Sequence, residues 1–220
     1  MLNRIRDAVL QGDLDAARDG TESALAAGVA PAEILNKALV SAMDEVGQEY
    51  ESGVRFIPEM LISAEAMKSA MTVLRPALTS AGVEPRGRIV LGTVEGDLHD
   101  IGKDLVGMML EGAGFEVIDL GVDVHAKRFV EAVRQHHPDL VGMSALLTTT
   151  MVHMPEVIVA LRESELRDSV KVIVGGAPVT AGYAQDIGAD GYSEDAAGAV
   201  KVALQLVDAI RKAREERSHA

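Results

Sequence analysis

The spacing of hydrophobic and polar positions changes once along this chain. Residues 1–82 are rich in Ala, Leu, Glu and Met and lack β-branched runs, a pattern that reads as helix throughout. Gly12-Asp13 and Gly28-Val29-Ala30-Pro31 punctuate the stretch. Asp13 is placed to cap a helix over 14–27, and Pro31 suits the first turn of the next, over about 32–51, which closes at Glu51-Ser52-Gly53. A last helix runs from near Pro58 to about Thr79. Four helices with short connections predict a small bundle.

After Gly82 the pattern switches. Residues 88–94 form a short β-rich run, and 116–120, 139–145, 170–175 and 190–193 are further strand candidates. Helix-like segments at about 101–113, 125–136, 150–164, 180–187 and 195–216 separate them. The βα alternation predicts an α/β fold whose parallel sheet is covered on both faces, and five units match the flavodoxin-like (Rossmann-type) order 2-1-3-4-5. The expected organisation is therefore an N-terminal four-helix unit over 1–82, a linker over 83–87 and a sheet domain over 88–220.

In such a sheet ligands sit beyond the strand C-termini where the winding reverses, between strands 1 and 3. The loop after strand 1 reads Glu95-Gly96-Asp97-Leu98-His99-Asp100, and the segment after strand 3 reads Ser144-Ala145-Leu146-Leu147-Thr148-Thr149-Thr150. Two dense polar clusters thus fall where a ligand belongs.

Composition narrows what that ligand can be. Cysteine is absent, which removes disulfides, thiolate metal sites, iron–sulfur clusters and Cys nucleophiles together. Any metal must be held by His, by carboxylates or inside an organic cofactor. A net charge of -13 argues against a nucleic-acid partner. No apolar run reaches membrane-span length, and Met1-Leu2-Asn3-Arg4 leads into charged residues rather than a signal sequence, so a soluble, cytoplasmic protein with no membrane partner is expected. The ten methionines are soft side chains, suited to filling a core or to shifting contacts.

A neutral imidazole is a good transition-metal ligand, and a ligating His usually gives its other ring N–H to a carboxylate. Asp97 and Asp100 both lie close enough to His99 to be that carboxylate, and Gly96 and Gly102 relieve crowding around the loop. No second His or third carboxylate stands at protein-metal-site spacing. One His suffices if a macrocycle supplies the equatorial ligands. His125, His136, His137 and His153 have no motif around them and read as surface or helix-end residues.

The run Gly96-Asp97-Leu98-His99-Asp100-Ile101-Gly102-Lys103 resembles the Asp-x-His-x-x-Gly signature of cobalamin-binding domains. Ser144-Ala145-Leu146 resembles their Ser-x-Leu element and Gly175-Gly176 their Gly-Gly element, in the same order and each just after its strand. The first half, including Phe56-Ile57-Pro58-Glu59-Met60, is similar to the helical cap of cobalamin-dependent methionine synthase, and the two-part build resembles free-standing methyltransferase corrinoid proteins. The resemblance implies a cobalamin or related corrinoid bound base-off/His-on, carried as methylcobalamin in its loaded form, with His99 as the lower ligand of cobalt. It implies a relay from His99 through Asp97 to Thr150, where the family carries Ser. Gly96, Leu98, Asp100, Ile101 and Gly102 would line the cofactor, Ser144, Leu146 and Thr148 would meet it, Gly175 and Gly176 would make room for its tail, and Ala196 would contact its nucleotide end. Phe56 and Met60 are candidates to cover the methyl-bearing face, with the two domains moving about the linker. The implied function is a methyl carrier that is not catalytic alone. Its implied partners are a substrate-specific methyltransferase, an acceptor methyltransferase serving a thiol or pterin, and a reductive activase.

Other readings fit less of the chain. A phosphate-accepting receiver domain needs an acidic residue after strand 3, where Ser144 stands, and a lysine near strand 5. A radical-mutase subunit would share the three motifs without the helical cap. A cobalamin-dependent sensor or regulatory protein is the alternative from a different functional class, and such sensors usually carry a DNA-binding or signalling domain.

Overall fold

The structure is a computed structural model that describes residues 1–218. It forms two compact units, Met1–Pro85 with Met108–Phe115, and Arg86–Gly107 with Glu116–Ala220. The helical unit opens with α1 (Leu2–Gln11) and α2 (Leu14–Ala26), where Asp13 accepts a hydrogen bond from the Ala16 amide at 2.9 Å and so satisfies one open donor of the first turn. Pro31 begins α3 (Pro31–Ile34), which continues through a π-helical segment, Leu35–Val40, into α4 (Ser41–Glu51). α5 (Ile57–Ser80) starts where Glu59 accepts from the Phe56 amide at 2.9 Å. Arg55 ties the α4–α5 turn to three helices, reaching Glu49 of α4 at 2.8 Å, the Leu10 carbonyl of α1 at 2.9 Å and Ser63 Oγ of α5 at 3.0 Å. The four helical segments expected over 1–82 are present, with the π-helical widening as the unforeseen feature. Met60 is fully buried and Phe56 is 67% exposed.

In the second unit β1 (Arg88–Thr93), β2 (Glu116–Asp119), β3 (Leu140–Ser144), β4 (Lys171–Gly175) and β5 (Gly191–Ser193) form one sheet in the order β2-β1-β3-β4-β5. All pairings are parallel. The helices between strands are α6 (Ile101–Gly112), α7 (Ala126–His136), α8 (Met154–Glu163) and α9 (Ala181–Asp186), and α10 (Ala196–Ser218) follows β5. β1 is buried along all but its first residue and β3 along all but its last, as expected of central strands covered on both faces. Part of the core gathers Val90, Val141, Met143, Val172 and Val174 against Phe129, Val133, Ile158 and Leu161 of α7 and α8. The α/β class and the strand order match the sequence reading. Among the described residues no helix is long and apolar enough to cross a membrane.

Because the winding reverses between β1 and β3, their C-terminal loops leave a crevice at that point. Thr93 pairs in register with Ser144, and Ser144 with Gly175, so the ends of three strands stand side by side below it.

Candidate functional site

The centre of the site is Asp97, which has no exposed surface. Its carboxylate accepts four hydrogen bonds. Oδ1 receives the His99 amide at 3.0 Å and lies 2.7 Å from His99 Nδ1. Oδ2 receives the Leu146 amide at 2.7 Å and the Thr150 hydroxyl at 2.6 Å. Burial alone would raise this carboxyl, but the bonds from Thr150, the Leu146 and His99 amides and the His99 ring outweigh it and hold the group well below the usual carboxylate range. Asp97 is therefore an anion and only an acceptor, which fixes the proton of His99 on Nδ1. Nε2 keeps its lone pair, on a side chain that is 51% exposed.

The backbone around this pair is held from two directions. Thr93, buried at the end of β1, donates its hydroxyl to the His99 carbonyl at 2.9 Å. Asp123, in the loop after β2, accepts from the Gly96 amide at 2.7 Å while its own amide donates to the Asp97 carbonyl at 2.9 Å. Gly96 turns through φ +76°, a left-handed conformation that glycine adopts at little cost. Thr150 also stands 3.0 Å from the Leu147 carbonyl, but a hydroxyl has one proton, and the shorter contact to the anion takes it.

The structure thus brings Asp97, His99, Leu146 and Thr150 together. Of the two candidate carboxylates only Asp97 reaches the imidazole; Asp100 is exposed, and its carbonyl accepts from the Asp104 amide at 2.7 Å. Leu98, Ile101, Leu146 and Leu147 are large apolar side chains left exposed on the two loops. Gly102 faces open space, and Thr148 is exposed. Ser144 is partly buried at the end of β3, and among the described residues its hydroxyl takes part in no side-chain hydrogen bond. A Cβ on Gly176, at φ +123°, would fall 1.9 Å from the Ala145 carbonyl oxygen, and one on Gly175 would fall 2.9 Å from that of Ser193. The paired glycines therefore let the β4 turn lie directly against its neighbours' backbone. Ala196, at the start of α10, is 5% exposed, so its methyl is packed inside the protein.

Sequence reasoning passed over Thr93 and Asp123. It also passed over Lys103, a buried ammonium held by Asp104 at 2.5 Å and Asp119 at 2.6 Å. Burial would lower it, but the two carboxylates outweigh that and raise its pKa. Lys103 fastens the first turn of α6 to the end of β2, beside the His99 loop.

These observations suit a corrinoid. One carboxylate-held imidazole with a free nitrogen offers a single axial bond, and the exposed apolar side chains with the open ground at Gly102 offer a broad apolar shelf. A flavodoxin-order sheet with this loop defines a module that presents one open imidazole nitrogen at its switch point.

The comparisons with known proteins agree. The B12 binding domain family matches residues 87–201, and a second family of the same description matches residues 1–75. Trimethylamine corrinoid protein 1 of Methanosarcina acetivorans is 44% identical over 91% of this chain and 94% of its own length. A corrinoid protein of Desulfitobacterium hafniense is 41% identical over 94% of this chain and 97% of its own. Among solved structures, the methanol:cobalamin methyltransferase complex MtaBC of Methanosarcina barkeri includes a chain 32% identical to this one, with TM-score 0.85, over 94% of this chain and 79% of that one. A cobalamin-binding protein of Desulfitobacterium hafniense is 38% identical, with TM-score 0.75, over 94% and 98%. The chain belongs to the B12-binding corrinoid proteins, and its cofactor is a corrinoid.

Proposed function

We propose that this protein carries a methyl group on a corrinoid held at His99, between a methyltransferase that loads it and a second that passes the group to a thiol or pterin. The observation that carries the reading is the buried Thr150–Asp97–His99 chain, which leaves one imidazole nitrogen free at the switch point of the sheet. When bound, the corrinoid supplies a cobalt centre able to take up and give up a methyl group. His99 Nε2 would hold the cobalt. Asp97 holds the Nδ1 proton and orients the ring. Thr150 and the Leu146 amide keep the carboxylate from rotating away.

Gly96, Leu98, Asp100, Ile101, Gly102, Leu146 and Thr148 line the seat. Ser144, Gly175, Gly176 and the backbone at Ala196 hold the cofactor's tail. Residues 1–82 are read as the helical cap domain, 83–87 as the linker and 88–220 as the cofactor domain. A reductive activase restores cobalt after accidental oxidation, and all these partners meet the protein in the cytoplasm. Relatives named for trimethylamine and dimethylamine favour a methylated amine as the methyl source.

The test is to load the full chain with a corrinoid, reduce it and supply trimethylamine with a trimethylamine-specific methyltransferase. The absorbance of the methylated cofactor should appear, and should decay when an acceptor methyltransferase and a thiol are added. A loaded chain that stays unmethylated with methyltransferases for the methylamines and for methanol would contradict the proposal.

A further inference from the structure

The turn that carries Asp97 and His99 has a second set of ligand groups. Glu95, at the end of β1, faces the first turn of α8 and the short segment before it. One ligand atom each from Glu95, His153 and Glu156 lie within 4.8 Å of one another, the one such group of three among the described residues. His153 Nδ1 stands 2.9 Å from Glu156 Oε2, three residues on, and His125 Nδ1 stands 2.7 Å from Glu95 Oε2. The side chains are partly open: 37% exposed for Glu95, 29% for His153 and 58% for Glu156.

We infer that Glu95, His153 and Glu156 form a binding site for a divalent first-row transition-metal ion, separate from the corrinoid cobalt. An ion at the centre of a triangle with such edges lies about 2.8 Å or less from each corner, so inward shifts of at most about 0.6–0.8 Å reach bonding distances of roughly 2.0–2.2 Å. The donor set is one imidazole and two carboxylates, without sulfur, which suits zinc, manganese or iron(II), and the exposed side leaves room for water as further ligands. Two carboxylates of an already acidic chain converge on one imidazole, an arrangement that a dication relieves. His125 is the outer partner: it holds Glu95 from behind, as hydrogen-bonded groups commonly hold metal-ligating carboxylates.

The location gives the ion a consequence. Glu95 lies two residues before Asp97, and His153 three after Thr150. A bound ion ties together the two segments that the Thr150–Asp97 hydrogen bond already joins, so it stiffens the mounting of His99. If the ion tightens corrinoid binding, linkage requires the corrinoid to tighten ion binding by the same factor.

Equilibrium dialysis of the tag-free full chain against Zn2+ alone tests this, with bound zinc counted by elemental analysis. The protein is stripped of corrinoid and carries His99→Ala, so that the open imidazole of the corrinoid site takes no part. About one Zn2+ per chain is expected. Glu95→Gln and His153→Ala should each weaken binding at least about tenfold, and His137→Ala should leave it unchanged. The three substitutions are on exposed or half-exposed side chains, and circular dichroism checks that each variant is folded. Less than stoichiometric zinc in the parent, or zinc retained within about threefold by the Glu95→Gln/His153→Ala double variant, overturns the site. Because no corrinoid is present, either result stands apart from the methyl-carrier proposal.

Discussion

Replacing Thr150 by Val removes one hydroxyl and keeps the side chain's shape, so it isolates a single bond of the His99 mounting. That hydroxyl stands 2.6 Å from Asp97 Oδ2, and both side chains are buried. A hydrogen bond to a charged group contributes about 1.5–3 kcal/mol, against about 0.5–1.5 for a neutral pair. At roughly 2–4 °C per kcal/mol for a chain of this size, the variant should melt about 3–12 °C lower at neutral pH. Thr150→Ser keeps the hydroxyl and should recover most of the loss, short of about 0.8 kcal/mol for the missing methyl. The pH dependence separates charge from shape. Asp97 has a lowered folded pKa, so its stabilisation is complete above the unfolded value near 4 and is lost as pH falls through the folded value. The unfolded value is common to parent and variant, so the deficit of Thr150→Val should be constant from about pH 9 down past that value and shrink only as pH falls through the folded value of Asp97 in the variant. Calorimetry of the corrinoid-free chain across that range is the assay. A deficit under about 1 kcal/mol at neutral pH would mean the hydroxyl serves the neutral Leu147 carbonyl instead, and the relay would be refuted.

Two further substitutions test how the loops are held. Gly176→Ala places a Cβ 1.9 Å from a backbone oxygen at φ +123°, and should cost at least about 2 kcal/mol by thermal unfolding; an unchanged melting temperature would show that the β4 turn does not lie against Ala145. Asp123→Ala removes the acceptor for the Gly96 amide at a residue whose φ is +53°, and should cost about 1–3 kcal/mol and speed hydrogen exchange at Gly96, with Asp123→Asn restoring most of both. Equal behaviour of the Ala variant and the parent would remove Asp123 from the mounting.

Much of this molecule is legible in the chain because its fold rests on repeated local signals. The β-rich runs alternating with helix-like segments led to the strand order, and the strand order located the crevice before any side chain was placed. Asp13 and Pro31 marked helix starts through capping chemistry that acts within one turn. What escaped depends on distant segments meeting. Proximity to His99 leaves both Asp97 and Asp100 open; the resemblance pointed to Asp97, and the folded turn, with the Leu146 amide and Thr150 arriving from the β3 loop, supplies the physical reason. Asp123 is one acidic residue among 34 acidic residues until the β2 loop folds onto Gly96. Met60 sits in a stretch similar to a cap motif, yet helix phase buries it and leaves Phe56 exposed. His153 had no motif context because its fellow ligand Glu95 lies far away in the sequence.

The central claim is that His99 Nε2 is the lower ligand of the corrinoid cobalt. Electron paramagnetic resonance of the loaded chain with cobalt in its paramagnetic divalent state, prepared with natural-abundance histidine and again with 15N-histidine, tests it most directly. If His99 is the ligand, the triplet superhyperfine splitting from 14N becomes a doublet in the labelled protein and disappears in His99→Ala. A triplet that persists in the labelled protein would mean that the axial nitrogen comes from the cofactor's own base, and the account would fail.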